Sequence, residues 1–317
     1  MSDHRLPKSP RALKDLLESR GLRLTKKRGQ NFLVDTNVLE GIADDAALQG
    51  GELVLEIGPG AGALTEYLLD LAGVVVALDV DQGMVALLGE FLQDRDRLLL
   101  CEGDVMGAHN QLNPELIRLL DACTAGQALE ANPLVAKTCS SASLAEVAGK
   151  ALCVVANLPY SITSPVILAL LEAELPIQQL TLLVQLEVAE KICADVGEGD
   201  WGLLSLLVRL HGEAEILRKV SRHVFWPAPQ VDSALIRITP RQGRSRQEIQ
   251  ALKAVVAPIF RYRRKSLSAG IKHAHGLKGD AIARVLDAAQ LSASDHIEKL
   301  GLEELKRLQQ AFEAEAK

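Results

Sequence analysis

Short apolar runs alternate with amphipathic stretches over residues 53–239 of this 317-residue chain. Most of the runs are nearly continuous series of Val, Leu and Ile, which is typical of strands that helices cover on both faces of a parallel sheet. The segments between the runs have helical periodicity, which predicts the helices that cover the sheet. The pattern therefore predicts an α/β fold with a doubly wound, mostly parallel, seven-stranded sheet. The predicted strands are 53–57, 74–80, 97–102, 152–156, 180–186, 214–220 and 233–239.

Beyond the predicted sheet, the chain shows only helical periodicity. A polar, strand-breaking stretch at 241–246 separates the two regions, and it predicts a large domain over 1–241 and a small all-helical domain over 242–317. Near the other end, residues 11–20 have the pattern of a short amphipathic helix. The predicted C-terminal helices are Ile249–Phe260, Gly279–Ala289 and Ile297–Ala316.

Residues with useful chemistry stand at the ends of four predicted strands. They are Gly58, Asp79, Asp104 and Asn157. Ligands of doubly wound sheets bind outside the carboxyl ends of the strands. We therefore expect these four residues to line one ligand site.

The loop after the first strand, Gly58-Pro59-Gly60-Ala61-Gly62, opens a predicted helix, and its glycines let the backbone approach a ligand closely. With Asp79 placed to bind a ribose, the loop also satisfies the loose dinucleotide fingerprint, so a nicotinamide cofactor is one alternative. S-adenosylmethionine is favoured, because Pro59 removes an amide donor that a pyrophosphate would use. Asp104 also supplies a carboxylate that can accept a hydrogen bond from an adenine amine. The competing interpretation of Asp104 is a helix N-cap.

The tetrapeptide Asn157-Leu158-Pro159-Tyr160 follows the fourth strand directly. The side-chain carbonyl of Asn157 and the backbone carbonyl of Leu158 can accept hydrogen bonds from an exocyclic amine, while Tyr160 stacks on the ring that carries it. Holding both amine hydrogens in this way would expose the nitrogen lone pair. The motif therefore predicts a pocket for the amino edge of an adenine; an ordinary strand-to-helix turn is the alternative.

A proline-stiffened loop, Phe225–Ala234, carries two aromatic residues before the last strand. Prolines hold rings at low entropic cost, so Phe225 is predicted to form the wall of the base slot opposite Tyr160. The alternative is that Phe225 and Trp226 cap the core of the sheet.

The chain has a net charge of −6, but its charges are unevenly distributed. Residues 1–30 contain nine Lys and Arg against three Asp and Glu, and residues 256–275 contain five Lys and Arg and no acid. Within the latter, Phe260–Ser266 interleaves aromatic and basic residues, which suits contacts with RNA phosphates. This segregation predicts a basic RNA-binding face on an acidic protein. Two solvated segments that never meet are the alternative.

Cysteine spacing and hydropathy exclude several classes of protein. The five cysteines form no CxxC pair and are expected to be reduced, small apolar residues. The seven histidines include only one close pair, so no metal is expected. No apolar run approaches the roughly 18–20 residues that a membrane span needs. The N-terminal segment lacks an apolar signal core. The cytoplasm is the expected location.

Taken together, these motifs closely resemble the KsgA family, the bacterial dimethyladenosine transferases of small-subunit ribosomal RNA. The resemblance runs from about Arg28 to Leu267, and several motifs in order are more specific than any one of them. Those motifs are Gly29–Leu33, Glu56–Gly60, Leu78–Asp81, Asp104, Asn157–Tyr160, Gln185 with Glu187-Val188, Trp201-Gly202, Phe225–Ala234 and Phe260–Lys265. The resemblance implies a Rossmann-like, class I S-adenosylmethionine-dependent methyltransferase fold.

The resemblance also implies the roles of particular residues. Those expected to bind S-adenosylmethionine are Gln30, Asn31, Leu33, Gly58, Gly60, Asp79, Asp104 and Asn157. Those expected to hold the target adenine are Asn157, Leu158, Pro159, Tyr160 and Phe225. The amine would attack the sulfonium methyl in line, so positioning and electrostatics supply the catalysis.

The family transfers four methyl groups to two adjacent adenines in a hairpin near the 3′ end of the RNA. The resemblance therefore implies small-subunit ribosomal RNA in an immature particle as the partner, with the helical domain helping to dock there. A monomer is expected. Two alternatives stay open: a resistance-type methyltransferase of large-subunit RNA, and a ribosome-assembly factor whose catalysis is dispensable.

The chain departs from the family pattern in four places. Asp79 stands where Glu is usual, which affects the expected cofactor affinity more than its identity. Leu186 and Leu203 replace a common lysine and a common arginine, which removes positive charge from the expected RNA face. The span from Asp104 to Asn157 is about thirty residues longer than is usual in the family. The extra segment, roughly 107–150, is rich in Ala, Ser and Leu and is expected to be a helical elaboration or a flexible segment.

Overall fold

The computed structural model describes residues 6–7, 9–22, 31–127, 132–241 and 245–315. One predicted cofactor-binding residue, Gln30, lies outside the described residues, and so does the basic stretch 23–29.

Ten strands are formed within the described ranges. They are β1 Phe32–Leu33, β2 Leu53–Ile57, β3 Val74–Asp79, β4 Leu98–Glu102, β5 Val135–Lys137, β6 Leu152–Asn157, β7 Ile177–Gln185, β8 Gly212–Val220, β9 Phe225–Trp226 and β10 Ser233–Pro240.

The same ranges contain thirteen α-helices. They are α1 Pro10–Ser19, α2 Thr36–Asp45, α3 Ala63–Leu71, α4 Gln82–Phe91, α5 Pro114–Thr124, α6 Ser141–Val147, α7 Thr163–Glu172, α8 Leu186–Cys193, α9 Leu203–His211, α10 Arg246–Phe260, α11 Leu267–His275, α12 Gly279–Ala289 and α13 Leu302–Glu315. No helix in the described part of the chain is both long and apolar enough to cross a membrane.

Eight of the strands form one twisted sheet in the order β5-β4-β3-β2-β6-β7-β10-β8. The five central strands from β4 to β7 are parallel, whereas β10 runs antiparallel to β7 and β5 antiparallel to β4. This confirms the doubly wound, mostly parallel sheet. The strand number differs from the predicted seven, because β5, which belongs to the insert 107–150, adds an eighth strand at the edge.

The winding direction of the sheet reverses between β2 and β6. From β2 the chain proceeds outward through β3 and β4, and it then returns to the other side of β2 to form β6 and β7. Such a reversal opens a crevice at the carboxyl ends of the two neighbouring strands. The glycine loop follows β2 and the Asn157–Tyr160 turn follows β6, so the topology brings these two motifs side by side.

The sheet is the core of the molecule because its central strands are apolar on both faces. Every residue of β2 and β3 is buried. Cys101, Cys123 and Cys153 are buried among apolar residues, and burial raises the pKa of Cys101 and of Cys123 to about 12. All five cysteines are free thiols, as expected.

The chain divides into two compact units. One contains Met1–Ala189 and Glu215–Pro240, and the other contains Glu190–Ala214 and Arg241–Lys317. The second unit therefore takes residues 190–214 in addition to the expected 242–317. The physical reason is that α9, in which Leu206, Leu207 and Leu210 are buried, packs against α10.

Candidate functional site

One cavity lies at the carboxyl ends of β2, β3 and β6 in the first unit. The structure brings nine of the sequence-predicted site residues together around it. These are Asn31, Leu33, Gly58, Gly60, Asp79, Asn157, Leu158, Pro159 and Tyr160. Residues that are separated by more than a hundred positions in the sequence thus share one wall of a single cavity.

The glycine loop after β2 has a backbone conformation that favours glycine. Gly58, Gly60 and Gly62 have φ values of 69°, 54° and 81°, all in the left-handed region. A Cβ on Gly60 would lie 2.9 Å from Cε1 of Phe32, closer than side chains approach. The loop therefore passes beside β1 with no room for a side chain, and it turns directly into α3.

Asp79, the last residue of β3, holds three strand ends together. Its carboxylate accepts hydrogen bonds from the backbone N–H of Gly60 at 3.2 Å and from that of Asp81 at 2.9 Å. Its backbone carbonyl accepts from the N–H of Gly103 at 2.9 Å. Because this carboxylate is only 7 % exposed and lines the cavity, it orients the glycine loop while presenting negative charge to a ligand.

Sequence reasoning assigned no role to Glu56, which lines the same cavity. It is 2 % exposed, and none of the described residues forms a hydrogen bond with its Oε2 atom. Burial, together with the nearby charge of Asp79, raises the pKa of Glu56 to about 8. An acidic residue within the otherwise apolar strand Leu53–Ile57 was the signal that could have found it.

The turn after β6 is held by hydrogen bonds that leave two of its acceptors open. The side-chain Nδ2 of Asn157 donates to the backbone carbonyl of Asn31 at 3.2 Å, which leaves the Oδ1 atom as the other end of the amide. The N–H of Leu158 donates to the carbonyl of Leu183 at 3.1 Å. No described residue donates to the carbonyl of Leu158. The turn therefore presents two carbonyl oxygens without fixing them to the protein.

Tyr160 is half-buried at the edge of the cavity, and its hydroxyl lies 2.8 Å from the Oγ atom of Ser233. Burial raises the pKa of the Tyr160 hydroxyl, and the hydrogen bond to Ser233 opposes that rise. Ser233 is fully buried at the start of β10. The ring of Tyr160 is thus anchored at its hydroxyl end by the sheet.

Two predicted site residues lie outside the cavity wall. Phe225 is 4 % exposed and packs in the core, with β9 pairing to β1 so that Phe225 stands opposite Leu33. The predicted wall opposite Tyr160 is therefore not formed by Phe225 in this structure, and the alternative of a core residue describes it. Asp104 is exposed beyond the end of β4, where its carboxylate accepts from the N–H of Met106 at 2.9 Å.

The basic residues between α10 and α11 are exposed on the second unit. Tyr262, within the same segment, stacks on the ring of His273 with 5.2 Å between ring centroids. The Nε atom of Arg263 lies 3.9 Å from Oε2 of Glu298, a long ion pair. Most of the positive charge is thus open to solvent. The exposed cations are Arg261, Arg263, Arg264 and Lys265.

The fold and the cavity define a class I, Rossmann-like methyltransferase that uses S-adenosylmethionine. A glycine loop, a buried acid at the end of β3 and a polar turn after β6 meet where the winding reverses. The family model for ribosomal RNA adenine dimethylase matches residues 21–309. The chain belongs to the ribosomal RNA adenine dimethylase family.

Similar proteins and structures agree with this family. The chain is 34% identical over 308 residues to ribosomal RNA small subunit methyltransferase A of Leuconostoc citreum, covering 96% of this chain and 95% of that protein. It is 35% identical to the protein of the same name from Moorella thermoacetica, covering 91% and 92%.

Among solved structures, the 23S rRNA methyltransferase ErmE matches with a TM-score of 0.61 and 25% identity, covering 89% of this chain and 100% of that one. A dimethyladenosine transferase from Plasmodium falciparum matches with a TM-score of 0.66 and 21% identity, covering 89% and 97%, and supports the fold alone.

Proposed function

We propose that this protein transfers methyl groups from S-adenosylmethionine to N6 of two adjacent adenines in the 3′-terminal hairpin of small-subunit ribosomal RNA, in a maturing ribosomal particle. The observation that carries the proposal is the cavity shared by the glycine loop and the Asn157–Tyr160 turn. Relatives at 34–35% identity that are named for the small-subunit RNA support the choice of substrate.

The donor half of the site would be the cradle around β2 and β3. Gly58 and Gly60 let the backbone approach the donor, and Asp79 offers its remaining carboxylate lone pairs to a ribose. The Oε2 atom of Glu56 has no hydrogen-bond partner among the described residues, and a cationic ligand bound in the same cavity would favour the ionised form of this carboxyl group. Asn31 and Leu33 complete the cavity wall at β1. The carboxylate of Asp104 would have to give up its hydrogen bond from the N–H of Met106 in order to bind an adenine.

The acceptor half would be the turn after β6. The Oδ1 atom of Asn157 and the carbonyl oxygen of Leu158 would accept the two hydrogens of the adenine amine, because no described residue donates to either. Pro159 shapes the turn, and Tyr160 would stack on the base. Bound S-adenosylmethionine supplies a methyl group on a positively charged sulfur. Asn157 and Leu158 would hold the amine nitrogen with its lone pair directed at that methyl group, and the proton would then leave to a carbonyl or to water.

The exposed cations of the second unit would bind phosphates of the ribosomal RNA. Arg261, Arg263, Arg264 and Lys265 lie together between α10 and α11. Positive side chains of this kind give salt-dependent, sequence-independent affinity, while the turn in the first unit selects the base. We further propose that the protein acts as a monomer in the cytoplasm, where small-subunit particles mature.

Large-subunit RNA is the competing substrate, since ErmE is a 23S rRNA methyltransferase of the same fold. The higher identity to the small-subunit relatives, over nearly their whole length, favours the small subunit. An assembly factor with dispensable catalysis is the second competitor. The two alternatives differ from the proposal in the RNA that is methylated and in the effect of replacing Asn157.

The experiment is mass spectrometry of ribosomal RNA after incubation with labelled S-adenosylmethionine and undermethylated small or large ribosomal particles. We expect two dimethyladenines in the small-subunit hairpin and none in large-subunit RNA. Asn157→Ala should slow single-turnover methyl transfer by about 10²-fold or more. The matched control is Asn37→Ala, an exposed asparagine on α2. Label in large-subunit RNA alone, or a normal rate for Asn157→Ala, would contradict the proposal.

A further inference from the structure

The N-terminal helix α1 forms part of the wall of the methyl-donor cavity. Leu13 of α1 and Pro7, which precedes it, line the cavity together with the glycine loop and Asp79. Neither the strand-end motifs nor the family motifs include these two residues. The wall of the donor site therefore extends beyond the sheet to an element at the start of the chain.

One face of α1 packs directly on the donor-binding elements. Leu13 and Leu17 are four positions apart, so they lie on the same side of the helix, and each is 2 % exposed. They pack with Phe32 of β1, with Ala61 of the glycine loop and with Met84 of α4. The packing of α1 is thus coupled to the same loop that would cradle the donor.

A further contact comes from the residues that precede α1. Leu6 is 4 % exposed, and a Cβ on Gly62 would lie 2.8 Å from its Cδ1 atom. The glycine loop is therefore covered from outside by apolar side chains of the N-terminal segment.

An exposed ion pair fastens the end of α1 to α4. The guanidinium of Arg20 makes two contacts with the carboxylate of Glu90, one of them between Nη2 and Oε1 at 2.6 Å. The same guanidinium lies 6.0 Å from the centroid of the Phe91 ring. Because both partners are open to solvent, this fastening is weak and reversible.

A helix as short as α1 is not stable by itself in water. Its ten residues are fewer than the roughly 12–15 that an isolated helix needs to be even marginally stable. The helix is therefore maintained by its docking on Phe32, Ala61 and α4, so releasing that docking removes the wall and opens the cavity.

We propose that α1 is the removable outer wall of the methyl-donor site: Leu13 contacts the bound donor, and undocking of α1 is the route by which spent donor leaves and fresh donor enters. This inference rests on the proposed function. Dimethylation of one amine consumes two molecules of S-adenosylmethionine, so the cavity must be emptied and refilled between the transfers. A wall on the donor side allows that exchange while the Asn157–Tyr160 side holds the RNA.

The test compares three leucine variants of the full chain. Leu17→Ala weakens the docking of α1 without changing a cavity-lining residue, and Leu13→Ala removes the wall residue itself. Leu119→Ala, the matched control, shortens a buried leucine of α5 that does not line the cavity. The measurements are the dissociation rate of S-adenosylhomocysteine by stopped-flow competition, the affinity for S-adenosylmethionine by calorimetry, and hydrogen exchange of the α1 amides.

Leu17→Ala and Leu13→Ala should each raise the dissociation rate of S-adenosylhomocysteine at least about tenfold. The reason is that the packing free energy lost with a buried leucine weakens the docking of α1 by at least that factor. Leu119→Ala should stay within about twofold of wild type, since distant sites act independently. Affinity for small-subunit RNA without donor should be the same in all three. Faster exchange of the α1 amides in Leu17→Ala, with unchanged donor dissociation and affinity, would overturn the inference.

The ion pair provides a second route that does not alter the core. Arg20→Glu and Glu90→Arg should each speed donor release, and the double variant should restore it because the pair is re-formed with reversed charges. A double variant that releases donor as fast as the single variants would show that the ion pair between Arg20 and Glu90 does not control donor release. A wild-type protein that binds no S-adenosylmethionine would instead contradict the proposed function, so the two failures are distinguishable.

Discussion

The two halves of the cavity differ in how completely the protein itself satisfies them. On the donor side, the carboxylate of Asp79 accepts two backbone hydrogen bonds and the glycine loop is locked in left-handed conformations. On the acceptor side, the turn is anchored through Asn31 and Leu183. No described residue donates a hydrogen bond to the side-chain carbonyl of Asn157 or to the backbone carbonyl of Leu158. The donor half is therefore preorganised, whereas the acceptor half is left open for the hydrogens of its substrate.

The largest expected effect is at Phe225, where substitutions distinguish a core residue from an aromatic wall that stacks on the target base. Because its ring is buried, Phe225→Ala should lower the free energy of unfolding by about 3–5 kcal/mol, measured by urea denaturation. Phe225→Leu should restore most of that stability and keep methyl transfer near the wild-type rate. A Phe225→Leu protein with normal stability and a strongly reduced transfer rate would instead place the ring on the target adenine.

Preorganisation of the donor half can be broken at Gly60. A Cβ there faces a left-handed backbone cost of roughly 1–2 kcal/mol and a clash with Phe32. Gly60→Ala should therefore weaken S-adenosylmethionine binding about tenfold or more, as measured by calorimetry. Gly149→Ala is the control, because Gly149 also has a positive φ but has no neighbouring atom near the added carbon. Equal donor affinity in the two variants would show that the loop is not the cradle.

Glu56 gives the donor half a distinctive pH dependence. Its folded-state pKa of about 8 lies above the ordinary value of 4.5, so the folded protein holds a proton that the unfolded chain has lost between these values. Stability should therefore fall as pH rises through this window, by about 1.4 kcal/mol per pH unit for this group.

Glu56→Gln should flatten that decline, because the amide stays neutral, and it should make the protein more stable than wild type near pH 8. Urea denaturation between pH 5.5 and 8.5 measures the difference. The control Glu146→Gln removes an exposed carboxylate of α6 and should follow the wild-type curve. Parallel curves for Glu56→Gln and wild type would mean that the buried group is ionised throughout.

The smallest expected effect concerns the anchoring of Tyr160. Tyr160→Phe keeps the stacking face but loses the hydrogen bond to Ser233, a loss of about 1 kcal/mol. Single-turnover methyl transfer should slow only severalfold, whereas Tyr160→Ala should slow it much more because stacking is lost as well. Equal rates for the two variants would assign the role of Tyr160 to its hydroxyl.

Features that depend on local pattern and strand order could be predicted from the residues without the fold. Continuous apolar runs predicted the sheet, and positions at strand ends predicted a shared cavity for Gly58, Asp79 and Asn157, whereas Asp104, predicted with them, lies outside the cavity wall. These predictions succeeded because strands buried on both faces must be apolar throughout, and because parallel strands end at one edge.

Features that depend on non-local partners become visible only in the folded chain. An amphipathic pattern at residues 11–20 predicts a helix but not the surface that it covers, so Leu13 was missed as a wall of the cavity. The ring of Phe225 suits a base slot and a core equally well, and pairing of β9 with β1 placed it in the core. The physical reason is common to both: burial is decided by what packs against a side chain, and the chain supplies that neighbour from far away in sequence.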